Sequence, residues 1–147
     1  MRIGMPRSVV DLYEWLPGYG ESAVSVTADG TNLRVIVRYD RDTEGEAQLM
    51  ERELLFIFAP VFLRHPFPGI FIFEMQAGAD RLSLGHLSEL GFSEFCQAYV
   101  SSQAINSLSS LPKVRHYTVQ FLAENVALDV LASGVQLGPE RVITRCA

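Results

Sequence analysis

A regular alternation of apolar and polar side chains over residues 22–39 predicts a β-hairpin that turns at Asp29-Gly30. Asp-Gly is a strong turn signal because tight hairpin turns need positive φ angles, which these residues tolerate. A two-residue loop at this point pairs Val26 with Leu33, and successive pairs then alternate between an apolar and a polar face. The apolar face is expected to lie against a core.

A second hairpin is predicted over residues 114–131, with its turn at Glu124-Asn125. This turn pairs Phe121 with Leu128, and the apolar side chains of both strands again share one face. Antiparallel sheets commonly bury one face and expose the other, so the opposite face is expected to be solvated. The polar residues of that face are His116, Thr118, Gln120 and Asp129.

Two more strands are predicted in the apolar segment that follows, from Glu51 to Leu63 and from Gly69 to Met75, with a Pro-rich turn over residues 65–68. Aromatic and β-branched residues dominate both, as is typical of strands. Pro60 cannot donate to a ladder, so it is expected at a sheet edge or a bulge. Interruptions by charged residues and prolines leave no apolar run of the roughly 20 residues that cross a membrane as a helix.

Two helices are predicted where apolar residues recur at helical spacing. Ser8 resembles the cap of a short helix over residues 8–16, which ends at Pro17-Gly18. A longer helix over residues 93–105 has Ser93 as its N-cap and one apolar face.

These elements indicate a mainly β protein, α+β by content. The expected fold is an antiparallel β-sandwich or a strongly curved sheet of about 6–8 strands, with one main packed helix and one short N-terminal helix. A closed barrel is the alternative. The 147 residues are expected to form a single domain over residues 1–147.

Composition narrows the classes of function. The formal net charge is −5 and the pI is about 5.1, which argues against broad nucleic-acid binding because such proteins usually carry a basic patch. Cys96 and Cys146 form neither a disulfide framework nor a metal spacing. No signal-peptide pattern occurs, so a cytoplasmic protein of bacterial type is expected. No phosphate loop or dinucleotide motif is present, and no cofactor is expected.

Acidic side chains are regularly spaced after the first hairpin. Asp40, Asp42 and Glu44 are followed by Gly45 and, six residues later, by Glu51. This spacing resembles an EF-hand calcium loop, in which oxygen ligands surround a sharp turn at glycine. The flanking segments are predicted strands, however, whereas an EF-hand needs helices. We therefore expect a solvated acidic connection between strands and assign no metal ligands.

Catalytic patterns are weak in this chain. A histidine, a carboxylate and a hydroxyl on one sheet face can support proton transfer, and His116, Asp129 and Ser133 are such a set. In the predicted register Asp129 pairs with Gln120, two pair positions from His116, so the register does not establish a direct contact. His65 is expected at the surface in the Pro-rich turn. No catalytic residue is assigned, and a protein without enzymatic activity is favoured.

The favoured hypothesis is a non-enzymatic protein-interaction module, such as an inhibitor, an immunity-like protein or an assembly subunit. Its acidic surface would attract a basic protein partner. Contacts are expected on the acidic loop and on the outward sheet faces. The predicted binding residues are Asp40, Asp42, Glu44, Arg34, Arg38, His116, Thr118, Gln120 and Asp129.

A homodimer is a further expectation. Ile36 and Leu131 both fall on predicted outward faces, and an exposed apolar patch that joined them would favour association with a second copy.

The alternative hypothesis is a small-molecule-binding or isomerase-type β-barrel protein with an aromatic-lined cavity. His116 or Arg38 would be its polar group, and a connected space of several hundred Å³ would distinguish this protein from an interaction module. The aromatic residues expected to line the cavity are Phe56, Phe58, Phe71, Phe73, Tyr117 and Phe121.

Overall fold

The computed structural model describes residues 1–67, 72–75, 84–105 and 110–144. The fold is mainly β, as predicted, with 57% strand and 11% helix. The strands are β1 (Arg2–Ile3), β2 (Pro6–Asp11), β3 (Ala23–Asp29), β4 (Asn32–Thr43), β5 (Glu46–Ile57), β6 (Val61–Pro66), β7 (Glu74–Met75), β8 (His86–Leu90), β9 (Arg115–Phe121), β10 (Val126–Ala132), β11 (Gly134–Leu137) and β12 (Arg141–Val142), and the α-helix of the described residues is α1 (Glu94–Ile105).

Two antiparallel sheets form a sandwich-like structure, which confirms the predicted fold class. The first sheet has the strand order β2-β8-β9-β10-β6, and the second has the order β11-β5-β4-β3, with β12 also paired to β5. The short strands β1 and β7 form a separate parallel pair.

The apolar core lies between the two sheets. Both contribute alternate side chains, as expected when one face of each sheet is turned inward. The largest fully buried ones include Leu33, Val35, Val37, Tyr39, Leu54 and Phe56 from the second sheet and Leu87, Phe121 and Leu128 from the first.

Strands β3 and β4 form the first predicted hairpin, with the predicted faces but a register shifted by two residues. Val26 pairs with Val35 rather than with Leu33, so the loop consists of Gly30 and Thr31. Gly30 has a φ of 61°, and a positive φ at the first loop residue suits a type II′ turn. Because the shift is even, every side chain keeps its predicted face.

Strands β9 and β10 form the second predicted hairpin, again with a register shifted by two residues. Phe121 pairs with Val126 rather than with Leu128, which leaves a loop over residues 122–125. The loop ends at Asn125, whose φ is 53°. The predicted apolar face of this hairpin lies in the core, which confirms the prediction of that face.

The predicted strand from Glu51 to Leu63 is two strands in different sheets. β5 ends at Ile57 in the second sheet, and β6 begins at Val61 in the first. Pro60 lies in the connection between the two strands, where no strand pairing needs the backbone N–H that proline lacks. The predicted turn over residues 65–68 begins too early, because β6 continues through Pro66. Of the strand predicted from Gly69 to Met75, residues 69–71 lie outside the described residues and only β7 is seen.

The predicted N-terminal helix over residues 8–16 is wrong. Residues 6–11 form β2, which pairs with β8, and a 3₁₀ turn follows over Leu12–Glu14. The adjacent Val9 and Val10 are stiff at χ1 and favour a strand. The apolar residues do recur at helical spacing, but pairing with β8 stabilises the strand rather than the helix.

Helix α1 begins after Ser93, as predicted. The Ser93 hydroxyl oxygen accepts the backbone N–H of Cys96 at 3.1 Å, which satisfies one free donor of the first turn. The helix packs near β1 and β9. It therefore lies on the outer side of the first sheet, away from the core between the sheets.

Candidate functional site

The polar face of β9 and β10, predicted to be solvated, is buried. A polar group in such a place is costly unless it has hydrogen-bond partners. The prediction of an exposed contact surface is therefore wrong for these four residues, although their shared face is confirmed. Their exposed fractions are 1% for His116 and 3% for Thr118, Gln120 and Asp129.

Aromatic side chains cover this face. The ring of Phe73 lies with its centroid 5.0 Å from that of His116, and the ring of Phe95, on α1, lies at 5.5 Å. Leu131 is 0% exposed on the same side. The outward apolar patch that predicted a homodimer through Ile36 and Leu131 is therefore not formed, because Leu131 is buried under this second layer.

Four polar side chains form a continuous hydrogen-bonded chain across the buried face. The Ser93 hydroxyl lies 2.7 Å from His116 Nδ1, and His116 Nε2 lies 2.7 Å from Asp129 Oδ1. The other carboxylate oxygen, Asp129 Oδ2, lies 2.8 Å from His65 Nε2. The contact between His116 and Asp129 that the predicted register leaves open is made, since the register shift places Asp129 opposite Thr118.

The direction of each hydrogen bond follows from the carboxylate in the middle of the chain. An ionised carboxylate only accepts, so His116 donates from Nε2 to Asp129 Oδ1 and His65 donates from Nε2 to Oδ2. Nδ1 of a neutral His116 then carries a lone pair and accepts the Ser93 hydroxyl proton. The Ser93 oxygen in turn accepts the Cys96 N–H. Nδ1 of His65 is left with a free lone pair.

His65 is the functional candidate that sequence reasoning placed wrongly. It belongs to β6, where it pairs with Ala127 of β10, so its side chain shares a face with that of Asp129 two residues further on. Its side chain is 16% exposed. The alternation of apolar and polar residues over 61–66 indicates a strand that continues through His65, whereas the neighbouring prolines favour a surface turn.

A cavity of about 340 Å³, here called the His65 cavity, lies beside this chain of polar groups. Its wall is mostly apolar, and its polar side chains all come from the buried sheet face. The described lining residues are Ile3, His65, Phe67, Ile72, Phe73, Met75, Leu84, Thr118, Gln120, Ala127 and Asp129.

Two residues that line the His65 cavity each carry a buried polar atom with no hydrogen-bond partner among the described residues. These atoms are Gln120 Oε1 and His65 Nδ1. The Gln120 amide nitrogen donates to Thr118 Oγ1 at 3.1 Å, so only one end of the amide is satisfied. Buried polar groups are nearly always paired, so each of these atoms lacks a partner that a ligand could supply.

The aromatic residues predicted to line a cavity are divided between two places. Phe56 and Tyr117 pack edge to face across the core with centroids 5.9 Å apart, and Phe121 is also in the core. Phe73 lines the His65 cavity, whereas Phe71 lies outside the described residues. The cavity therefore exists on the outer side of the first sheet and not inside a barrel.

A second cavity, of about 300 Å³, lies at the other end of the polar chain and is lined in part by Ser93, Cys96 and Lys113. Burial raises the pKa of the Cys96 thiol, an effect that the nearby Lys113 partly offsets. The thiol also lies 3.5 Å from the Val114 carbonyl oxygen. With the Ser93 hydroxyl shared between His116 and the helix, the described wall presents no activated nucleophile.

The remaining predicted binding residues lie on the second sheet, apart from the His65 cavity. Arg34 pairs with Asp29 and with Glu53, each at 3.6 Å. Arg38 donates to Glu51 at 3.2 Å. Both arginines are partly exposed and engaged by neighbours, so the structure gives them a role in surface ion pairs, which contribute little to stability.

The acidic segment is a β-hairpin rather than a calcium-binding loop. Asp40 and Asp42 belong to β4, and their residues pair with Leu49 and Ala47 of β5. The turn is made by Glu44 and Gly45, whose φ angles are 55° and 84°. The backbone thus pairs with itself where an EF-hand would wrap around an ion. In the described part of the chain, no group of three or more His, Cys, Asp or Glu side chains could hold a metal ion.

Comparison of the chain with protein-family models, with curated proteins and with solved structures found no match. Within the described ranges, no helix has the length and apolar character needed to cross a membrane.

Proposed function

We propose that the protein binds a small, mainly apolar molecule in the His65 cavity. The observation that carries this proposal is the unpaired, buried amide oxygen of Gln120, a residue of a cavity wall that is mostly apolar. The volume of about 340 Å³ falls at the lower end of the range typical of ligand sites. An apolar cavity with a few convergent polar groups is the usual form of such a site.

The polar groups also indicate the charge of the ligand. Among the described residues of the cavity wall there is no lysine or arginine, so a bound anion would lack a counter-charge. The Asp129 carboxylate already accepts hydrogen bonds from two histidines. An isolated buried charge is costly. The proposed ligand is therefore uncharged, with one polar group that pairs with the Gln120 amide.

Indole and indene test this proposal as a matched pair of probes. They have nearly the same shape, but only indole has an N–H to donate to Gln120 Oε1. We expect indole to bind about tenfold more tightly, since pairing a buried polar group is worth about 1–3 kcal/mol. Chemical-shift changes in nuclear magnetic resonance spectra, followed during titration, give both affinities and the location of binding.

The Q120L variant is the first control. It removes the unpaired amide, so indole and indene should bind equally while the protein stays folded. The A127F variant should block the cavity and abolish binding of both probes, whereas D42N, on the exposed β4–β5 hairpin, should change neither. Failure of both probes to bind the unaltered protein, or binding of indole outside the cavity, would contradict the proposal.

A second candidate function is capture of a basic protein by the tip of the β4–β5 hairpin. Asp42, Glu44 and Glu46 are all exposed there, and no ion pair within the described residues engages them. Three unpaired carboxylates on a projecting turn would speed the approach of a positively charged partner.

The test of this second function is the association rate with basic proteins encoded by neighbouring genes. The triple variant D42N/E44Q/E46Q should slow association about tenfold at low salt. D29N, at the end of β3 and far along the sheet from this hairpin tip, is the control and should have a much smaller effect. If the unaltered protein binds none of these partners, or binds with no dependence on salt, this function is excluded.

A further inference from the structure

We propose that His65 is a general base that removes a proton from the molecule held in the His65 cavity. This inference rests on the proposed binding function and adds a chemical step to it. The atom that would accept the proton is Nδ1, which is buried and has no partner among the described residues. His65 itself lines the cavity, and the proposed step requires the bound molecule to contact Nδ1.

The hydrogen bond to Asp129 sets up His65 for this role. Nε2 donates to Asp129 Oδ2 at 2.8 Å, which fixes the tautomer in which Nδ1 carries a lone pair. When Nδ1 takes a proton, the imidazole becomes a cation and the carboxylate beside it offsets the new charge. A base held by a third group in this way is the usual arrangement in general-base catalysis.

The rest of the polar chain keeps Asp129 in place. His116 donates to Oδ1 at 2.7 Å and is itself held by Ser93 at the start of α1. The side chains of His116 and Asp129 are 0% and 4% exposed, so water competes little for these hydrogen bonds. Prearranged polar groups in a water-poor site stabilise developing charge at little cost in reorganisation. Asp129, His116 and Ser93 are therefore positioning residues.

The apolar wall defines the substrate class as a small, uncharged carbon acid, such as a compound with a C–H beside a carbonyl group. The C–H bond breaks, its proton moves to Nδ1, and its electron pair spreads onto the carbonyl oxygen. Rotation of the Gln120 amide about its terminal bond, away from the orientation in which its nitrogen donates to Thr118 Oγ1, would direct its N–H to that oxygen and let Oε1 accept a hydrogen bond from the Thr118 hydroxyl. If a C=C bond lies next to the carbon that loses its proton, the electron pair is also shared with the γ-carbon, and return of the proton there gives the conjugated isomer. No oxidant, reductant or co-substrate is needed.

The charged groups near the base are few. Among the described residues that line the cavity, His65 and Asp129 are the only titratable ones, and His116 reaches the base only through Asp129.

The probe for this proposal is 5-nitrobenzisoxazole, a small apolar carbon acid. A base removes its C–H proton, the electron pair forms a nitrile, the N–O bond breaks, and a coloured phenolate leaves. We expect the protein to accelerate this reaction beyond the rate in buffer, with a rate that rises with pH and then levels off. The variant H65Q should lower kcat/KM roughly a hundredfold, and D129N should displace the pH profile.

Two controls separate the base from the cavity. H86Q changes a histidine whose Nδ1 is paired with Ser8 at 2.7 Å outside the cavity, and it should leave the rate unchanged. Indole should still bind H65Q. If H65Q does not fold, nitrogen-15 spectra of the unaltered protein replace it, and these should show His65 protonated on Nε2 alone.

The outcomes distinguish the two proposals. Indole binding without accelerated elimination, or elimination that persists in H65Q, would overturn the role of His65 and leave the binding function standing. A neutral His65 that carries its proton on Nδ1 in the free protein would likewise overturn it. Absence of both binding and elimination would remove both proposals.

Discussion

The variant D129L is expected to lower the free energy of unfolding by about 2–6 kcal/mol, because it leaves the buried His116 and the largely buried His65 without an acceptor. Asp129 is 3% exposed and accepts from His65 at 2.8 Å and from His116 at 2.7 Å. Leucine has the same number and branching of side-chain heavy atoms but accepts no hydrogen bond, and its bulkier methyl groups must also be accommodated. Each unpaired buried donor then costs about 1–3 kcal/mol. Unfolding in urea measures the loss.

A graded series makes this prediction specific. D129N keeps one acceptor and offers one donor, so it can pair with both histidines if one changes its tautomer, and it should cost less than D129L. D42N, on the exposed hairpin, should stay within about 0.5 kcal/mol of the unaltered protein. Equal stability of D129L and D42N would show that the polar chain does not support the fold.

The variant F56A is expected to lower the free energy of unfolding by about 3–5 kcal/mol. Phe56 is 0% exposed and stands on β5 between Leu33 and Val135, its partners on the neighbouring strands. Its ring also meets that of Tyr117 from the opposite sheet. Truncation therefore opens a cavity where the two sheets meet, and the surrounding side chains can fill it only in part.

F62A is the matched control, since Phe62 is also on a strand but 39% exposed. It should cost far less than F56A. The dependence of the unfolding free energy on urea should remain the same in both variants, which would show that the loss comes from the folded core. Similar losses for F56A and F62A would mean that the inner face of the second sheet is not the main core.

Facial assignments could be made from the sequence, whereas strand registers could not. Val26 and Phe121 lie on the faces that alternation predicts, because the period of two is a property of every strand. Their partners differ by two residues from those expected, since the loops use Gly30-Thr31 and residues 122–125. A register shift of two residues leaves every apolar side chain on the buried face, so the hydrophobic pattern does not distinguish the two registers.

The error over the buried polar face has a physical origin. His116 and Asp129 satisfy each other together with Ser93 and His65, and two of these partners lie on elements distant in sequence. Burial of a polar group costs little free energy when other side chains satisfy its hydrogen bonds. A prediction from one sequence cannot see those partners and treats the group as solvated. Leu131 on the same face was the available signal, because an apolar residue there indicates a cover.

The pairing of β2 with β8 has a consequence for the order of folding. The contacting residues Arg7 and Glu89 are 82 positions apart in the chain, whereas β3, β4 and β5 pair with their immediate neighbours. During synthesis the β3–β5 meander can form early, but the first sheet must wait for β8, β9 and β10. Distant strand pairings are slow to form. Until β8, β9 and β10 have been synthesised, the apolar inner face of the meander has no sheet to cover it. We expect the chain to be most prone to aggregation during that time.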